Sequence, residues 1–211
     1  MKTITQMFFA LMLMLMASTM SSSGQSIKDF VLPNPHYNKA IFYKPSKTGG
    51  RTNFSRIIYY DEKADQHNIM DAQMYKNEPM SILTMTVKFS ENEANMVESV
   101  STNEIETNKR RWYNVPRTTF KMPSANAISV WLYTDIKGDE MRCTSSWTTV
   151  TVGDDQRIAI KVVKEIIGLN SKIIEYYVEG IGLWRTDMEN SDGTTEILEK
   201  FDKLEYEPSR R

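Results

Sequence analysis

The second half of the chain is a succession of β-favouring segments joined by connections too short for a parallel return. Ile128 to Thr134, Met141 to Val152, Arg157 to Ile167 and Lys172 to Val178 carry Val, Ile, Thr, Trp and Tyr throughout, side chains that suit a pleated, half-buried surface. Between them stand Lys137-Gly138-Asp139, Gly153-Asp154-Asp155 and Gly168-Leu169-Asn170-Ser171, built from residues that accept turn dihedrals. A parallel return needs a crossover of roughly a dozen residues or more. The strands must therefore alternate in direction. The expected fold is mainly β, an antiparallel meander forming a curved sheet or half-open barrel, with room for one or two short helices.

The first half extends the same pattern. Ala40 to Lys44 and Arg56 to Tyr60 read as strands around the turn residues Ser46-Lys47-Thr48-Gly49-Gly50. From Met80 to Phe89 the chain alternates, with Leu83, Met85, Val87 and Phe89 on one face and Ile82, Thr84, Thr86 and Lys88 on the other, the period of a half-buried strand. Ser90-Glu91-Asn92-Glu93 resembles a helix capping box, and Ala94, Val97 and Val100 recur at helical spacing, but the same residues also suit a strand. Pro33 and Pro35 make 25–39 an extended lead-in. Asn190-Ser191-Asp192-Gly193 reads as a turn into a closing strand from Thr194 to Glu207, and Pro208 to Arg211 as a frayed tail. With no internal repeat and no linker, 25–211 reads as one domain.

Residues 1–24 read as an address. Lys2 is followed by an apolar run from Met7 to Ala17 and by Ser21-Ser22-Ser23-Gly24, the layout of a secretory signal peptide cut after Gly24. The run is far short of the about 20 residues a spanning helix needs, and no later segment is apolar enough, so no transmembrane segment is expected in the mature chain. Export into the periplasm or out of the cell is the implied localisation.

Composition then narrows the chemistry. With 26 Lys and Arg against 27 Asp and Glu, the formal charge of −1 offers no field for nucleic acid. One Cys cannot form an intrachain disulfide, so the core must supply the stability, and Cys143 reads as a buried structural thiol. His36 and His67 have no Cys or second His at ligand spacing. No cofactor is expected. Asp135 to Glu140 lacks the alternating oxygen ligands of a calcium loop, and the carboxylate pairs Asp61-Glu62, Asp139-Glu140 and Asp154-Asp155 fall where turns need solvation.

Tyr176-Tyr177-Val178-Glu179-Gly180-Ile181-Gly182-Leu183-Trp184 resembles a C-terminal pattern of secreted bacterial proteins of the TapB-like type and related domains, in which an aromatic pair and a Gly-Ile-Gly-Leu-Trp run precede the last strands. That group is similar in fold to the periplasmic carriers of the LolA type. The resemblance implies a Gram-negative envelope protein whose curved sheet can enclose an apolar cavity, and it carries over no catalytic residue. No Cys follows the apolar leader, which separates this chain from the lipoprotein members. Physically, Gly180 and Gly182 predict a bulge or sharp bend where a side chain would meet neighbouring backbone.

Two clusters are candidate binding elements. Lys109, Arg110, Arg111 and Trp112, with Arg117 close behind, follow a stretch holding Glu91, Glu93, Glu98, Glu104 and Glu106. Arg forks there suit the oxyanions of a headgroup, phosphate or acidic glycan, and Trp112 an apolar or sugar face; a solvated loop paired to the preceding Glu is the simpler account. Trp131 and Tyr133 share one strand face opposite Val130 and Leu132, as expected of a strand covered on both sides or lining a cavity. Trp147, Tyr176 and Trp184 extend this aromatic set. Together these features predict a non-catalytic exported envelope protein that binds a lipophilic or amphiphilic ligand between Trp131, Tyr133 and Trp184, with Lys109 to Arg111 at the mouth. The alternatives are an envelope interaction module recognising protein or polysaccharide and, third, a carboxylate-dependent hydrolase.

Overall fold

A computed structural model of the chain describes residues 25–32, 39–45, 51–75, 78–103, 111–113, 117–125, 127–134, 139–201 and 203–207. The leader, Pro33 and Pro35, His36, the turn at 46–50, Lys109 and Arg110, most of the Asp135 to Glu140 stretch and the tail lie outside them. Helix α1 (Ile27–Val31) precedes strands β1 (Lys39–Pro45), β2 (Arg51–Asp61), β3 (Gln66–Tyr75), β4 (Glu78–Phe89) and β5 (Glu93–Asn103). Strands β6 (Arg111–Tyr113), β7 (Arg117–Lys121), β8 (Ser129–Thr134), β9 (Glu140–Val152) and β10 (Asp155–Ile166) follow. The chain then runs through β11 (Ser171–Val178), β12 (Gly182–Glu189), β13 (Thr195–Lys200) and β14 (Lys203–Glu207).

The meander is present as read. Strands β8 to β13 form one six-stranded sheet in sequence order, every described pairing antiparallel. The other sheet runs β14-β1-β2-β3-β4-β5-β6, with β7 also on β5, and its pairings are antiparallel as well. Among the described residues the sheets do not close into one barrel. One core cluster draws Ile69, Val87 and Phe120 from the larger sheet and Trp131, Cys143, Ile160 and Val162 from the smaller, so the two pack over a shared interior. The ambiguous segment after Ser90 is a strand: Ala94 and Met96, both buried, stand opposite Phe89 and Val87, so period two governs its burial.

Three expectations need correcting. The lead-in is not wholly extended, because Ser26 caps α1: its hydroxyl accepts from Lys28 N–H at 3.2 Å and its own N–H donates to Asp29 Oδ2 at 2.8 Å. That box meets two orphan donors, and burial of Ile27 and Phe30 holds a helix too short to persist alone. The closing strand is also two strands. Phe201, buried, sits between β13 on the smaller sheet and β14 on the larger, so the chain changes sheet where an apolar side chain anchors the corner. Finally, β8 is covered on one side only. It is the last strand of its sheet, Trp131 faces the core, and Val130 and Leu132 are 55% and 75% exposed.

The Gly-Ile-Gly-Leu-Trp run makes the expected bend. Gly180 and Gly182 have φ of +72° and +90°, a region open mainly to glycine. A Cβ on Gly182 would stand 3.1 Å from the Val31 carbonyl oxygen, and Gly180 N–H donates to Asp29 O at 2.6 Å. The motif thus seats α1 against the β11–β12 turn. Tyr176 pairs with Arg185 and Tyr177 with Leu183, which leaves Trp184 as the extra residue of a β-bulge.

Candidate functional site

The intersheet face of β8 to β11 brings aromatic, aliphatic, thiol and charged side chains together. Cross-strand register sets Trp131, Cys143, Lys164 and Ile173 in one row, with Tyr133, Met141 and Ile166 on one side and Ser145, Val162 and Glu175 on the other. In β10 the inward positions read Ile160, Val162, Lys164, Ile166. A cation therefore stands in an apolar register. Lys164 Nζ bonds Glu175 Oε1 at 2.7 Å, Glu175 Oε2 accepts from the Tyr177 hydroxyl at 2.8 Å, and Lys164 Nζ lies 5.5 Å from the centre of the Tyr133 ring.

The larger sheet supplies a matching pair. Arg56 and Asp71 stand opposite each other on β2 and β3 and meet as a fork, Nε to Oδ1 at 2.7 Å and Nη2 to Oδ2 at 2.8 Å. Bidentate geometry of this kind offsets the desolvation of both charges. The two networks face each other across the interior. Burial first and the Glu175 carboxylate second push the Tyr177 phenol well above its ordinary value, while Arg56 opposes them.

Lys164 and Arg56 stay charged and Tyr177 stays neutral through the neutral range. Burial works against charge on Lys164, but Glu175 outweighs it and raises the amine, as Asp71 raises Arg56. Burial pushes the Cys143 thiol up to about 11. Fixed charges suit recognition, whereas proton transfer wants a group titrating near working pH. Cys143 should therefore ignore a thiol reagent at pH 8 until the chain unfolds; full labelling of the folded protein within minutes would contradict its burial. A raised folded value favours the neutral thiol, so this contribution to stability is intact below pH 9 and fades as pH rises toward 11. Tyr177 acts in the same direction at higher pH.

The structure separates the residues singled out in the sequence. Trp131 and Tyr133 lie on the intersheet face with Trp147, whose ring meets Phe30 edge-on at 5.5 Å. Trp184 belongs to a second cluster with Ala159, Val178, Ile181 and Phe201, on residues of the opposite strand parity. It is not brought to Trp131. Tyr176 also has that opposite parity, stacked under the Arg185 guanidinium at 5.5 Å. Arg111 and Trp112 form backbone pairs with Ser101 and Val100 in β6.

Arg117, the last member of the basic cluster, registers against Met96 and through it Val87, hence toward the interior. Its Nη1 is buried with no hydrogen-bond partner, and so are the indole N–H groups of Trp131 and Trp184. An unmet buried donor costs about 1–3 kcal/mol. Arg56, Asp71, Lys164 and Glu175 were not singled out from sequence. The available signal was a charge inside an apolar alternation: Arg56 before Ile58, Asp71 after Ile69, Lys164 after Val162 and Glu175 between Ile173 and Tyr177.

Among the described residues, hollows open at the surface. One of about 330 Å³ is lined by Arg157, Ile158 and Glu179, and one of about 250 Å³ includes Lys121, Met122 and Ser129 where β7 gives way to β8. Ser129 stands two residues before Trp131 on the same face. Among the described residues no helix is long and apolar enough to cross a membrane, and no three His, Cys, Asp or Glu gather to hold a metal ion. Comparison with family models, curated proteins and solved structures gives no match. The functional reading therefore rests on the residues themselves.

Proposed function

We propose that the chain is an exported, non-catalytic protein of a Gram-negative envelope that binds an amphiphilic ligand on the intersheet face of β8 to β11. The observation that carries this reading is the amphipathic interior: the Trp131 and Tyr133 rings share one face with the Lys164, Glu175 and Tyr177 network. Aromatic faces give area for an alkyl body, and fixed charges orient a polar head. The leader-like first segment agrees with it, as does the resemblance of the Gly-Ile-Gly-Leu-Trp run to TapB-like secreted proteins, a group similar in fold to LolA-type carriers. A naphthalene sulfonate dye should bind the folded protein and be displaced by single-chain amphiphiles, with displacement weakened in a folded Trp131→Ala variant. Absence of displacement by any alkyl compound would count against the reading.

A second reading, an envelope interaction module, is favoured by one observation. Ile128, Val130 and Leu132 are 61%, 55% and 75% exposed on the outer face at the end of the smaller sheet. Such an aliphatic stripe on an edge strand invites strand addition by another chain.

A further inference from the structure

Among the described residues, two interior cations are paired with carboxylates and a third is not. Arg56 is forked onto Asp71 and Lys164 is bonded to Glu175. Arg117 carries a buried Nη1 that nothing accepts from. Strand β7, which holds Arg117, lies against β8. There Trp131, only 6% exposed, presents an indole N–H that also lacks an acceptor. Both residues register toward the intersheet space, Arg117 through Met96 and Trp131 through Cys143. Two buried donors on adjoining strands, one of them cationic, are what an oxyanion would satisfy, because buried donors are otherwise almost always paired.

We infer that Arg117 Nη1 and Trp131 Nε1 are the donors of an oxyanion site between β7 and β8, which takes the carboxylate or phosphate head of the ligand. The inference deepens the amphiphile reading and rests on it for the tail: the Tyr133 ring, on the same face as Trp131, offers apolar surface to the first carbons. It also gives Arg117, whose side chain registers inward, the recognition role expected of the basic cluster. The site is one guanidinium nitrogen with an added neutral indole donor, so it holds a charged head in place without changing its chemistry.

The test is calorimetric titration of the purified full chain with decanoate, decyl phosphate, 1-decanol and inorganic phosphate. The two charged amphiphiles should bind at least tenfold more tightly than 1-decanol. Arg117→Gln should erase that preference by weakening the charged amphiphiles at least tenfold, and Trp131→Phe, which keeps the ring and removes the N–H, should weaken the charged ligands several-fold. Equal affinity for charged and neutral heads overturns the oxyanion site and leaves the amphiphile reading standing. Inorganic phosphate binding that Arg117→Gln abolishes, with no alkyl compound bound, upholds the site for a free anion and overturns the amphiphile reading. No binding of any probe overturns both. The comparison of heads needs no variant, so it holds even if Arg117→Gln fails to fold.

Discussion

Replacing Phe30 with Ala should destabilise the folded chain by about 3–5 kcal/mol, the range for removing a fully buried aromatic ring. Phe30 has no exposed surface and stands in the core that both sheets share. Its ring meets Trp147 at an interplanar angle of 71°, an edge contact worth a further fraction of a kilocalorie to about 1.5 kcal/mol. Loss of the ring also loosens α1, whose Asp29 and Val31 carbonyls lie against Gly180 and Gly182. Urea unfolding monitored by circular dichroism measures it. A cost below about 1 kcal/mol would mean that α1 is an appendage and not part of the core.

Asp71→Ala is the second large effect, a loss of about 3–5 kcal/mol, because it strips a buried guanidinium of its bidentate partner. Asp71 and Arg56 side chains are 9% and 12% exposed, so water compensates little. The double change Arg56→Met with Asp71→Leu should recover most of the loss, since packed apolar residues avoid the desolvation that a buried guanidinium suffers without its Asp71 fork. If Asp71→Ala alone cost no more than about 1 kcal/mol, the pair would be behaving as a surface ion pair.

Much of the fold was legible because its rules are local. Short turns with Gly153 and Gly168 at positive φ force antiparallel return, and the six-stranded sheet follows the chain order that such turns allow. The bend at Gly180 to Trp184 was legible for the same reason. Helix α1 was not: Pro33 and Pro35 dominate the local signal, while burial of Ile27 and Phe30 decides the outcome only once β11 and β12 are in place. The split between β13 and β14 is likewise a long-range event, set by pairing of β14 with β1 at the opposite end of the sequence.

The candidate site was legible by half. Trp131 and Tyr133 were placed correctly on one face by their period of two, but the exposed Val130 and Leu132 show that apolar side chains alone do not report burial of the second face. The charged residues between the sheets escaped notice because partners such as Lys164 and Glu175 meet across strands, and sequence spacing does not display diagonal neighbours. Trp184 was grouped with Trp131 by residue type, and the bulge that turns it into the second cluster depends on its pairing with β11.

The most direct test of the central claim is native mass spectrometry of the chain purified without detergent from a Gram-negative host that exports it, followed by solvent extraction. The amphipathic interior predicts a stoichiometric mass increment that extraction removes and that identifies as a compound with an alkyl body and a charged head. A bare polypeptide mass, unchanged after incubation with envelope lipids and single-chain amphiphiles, would contradict the claim and leave the exposed stripe of β8 as the functional surface.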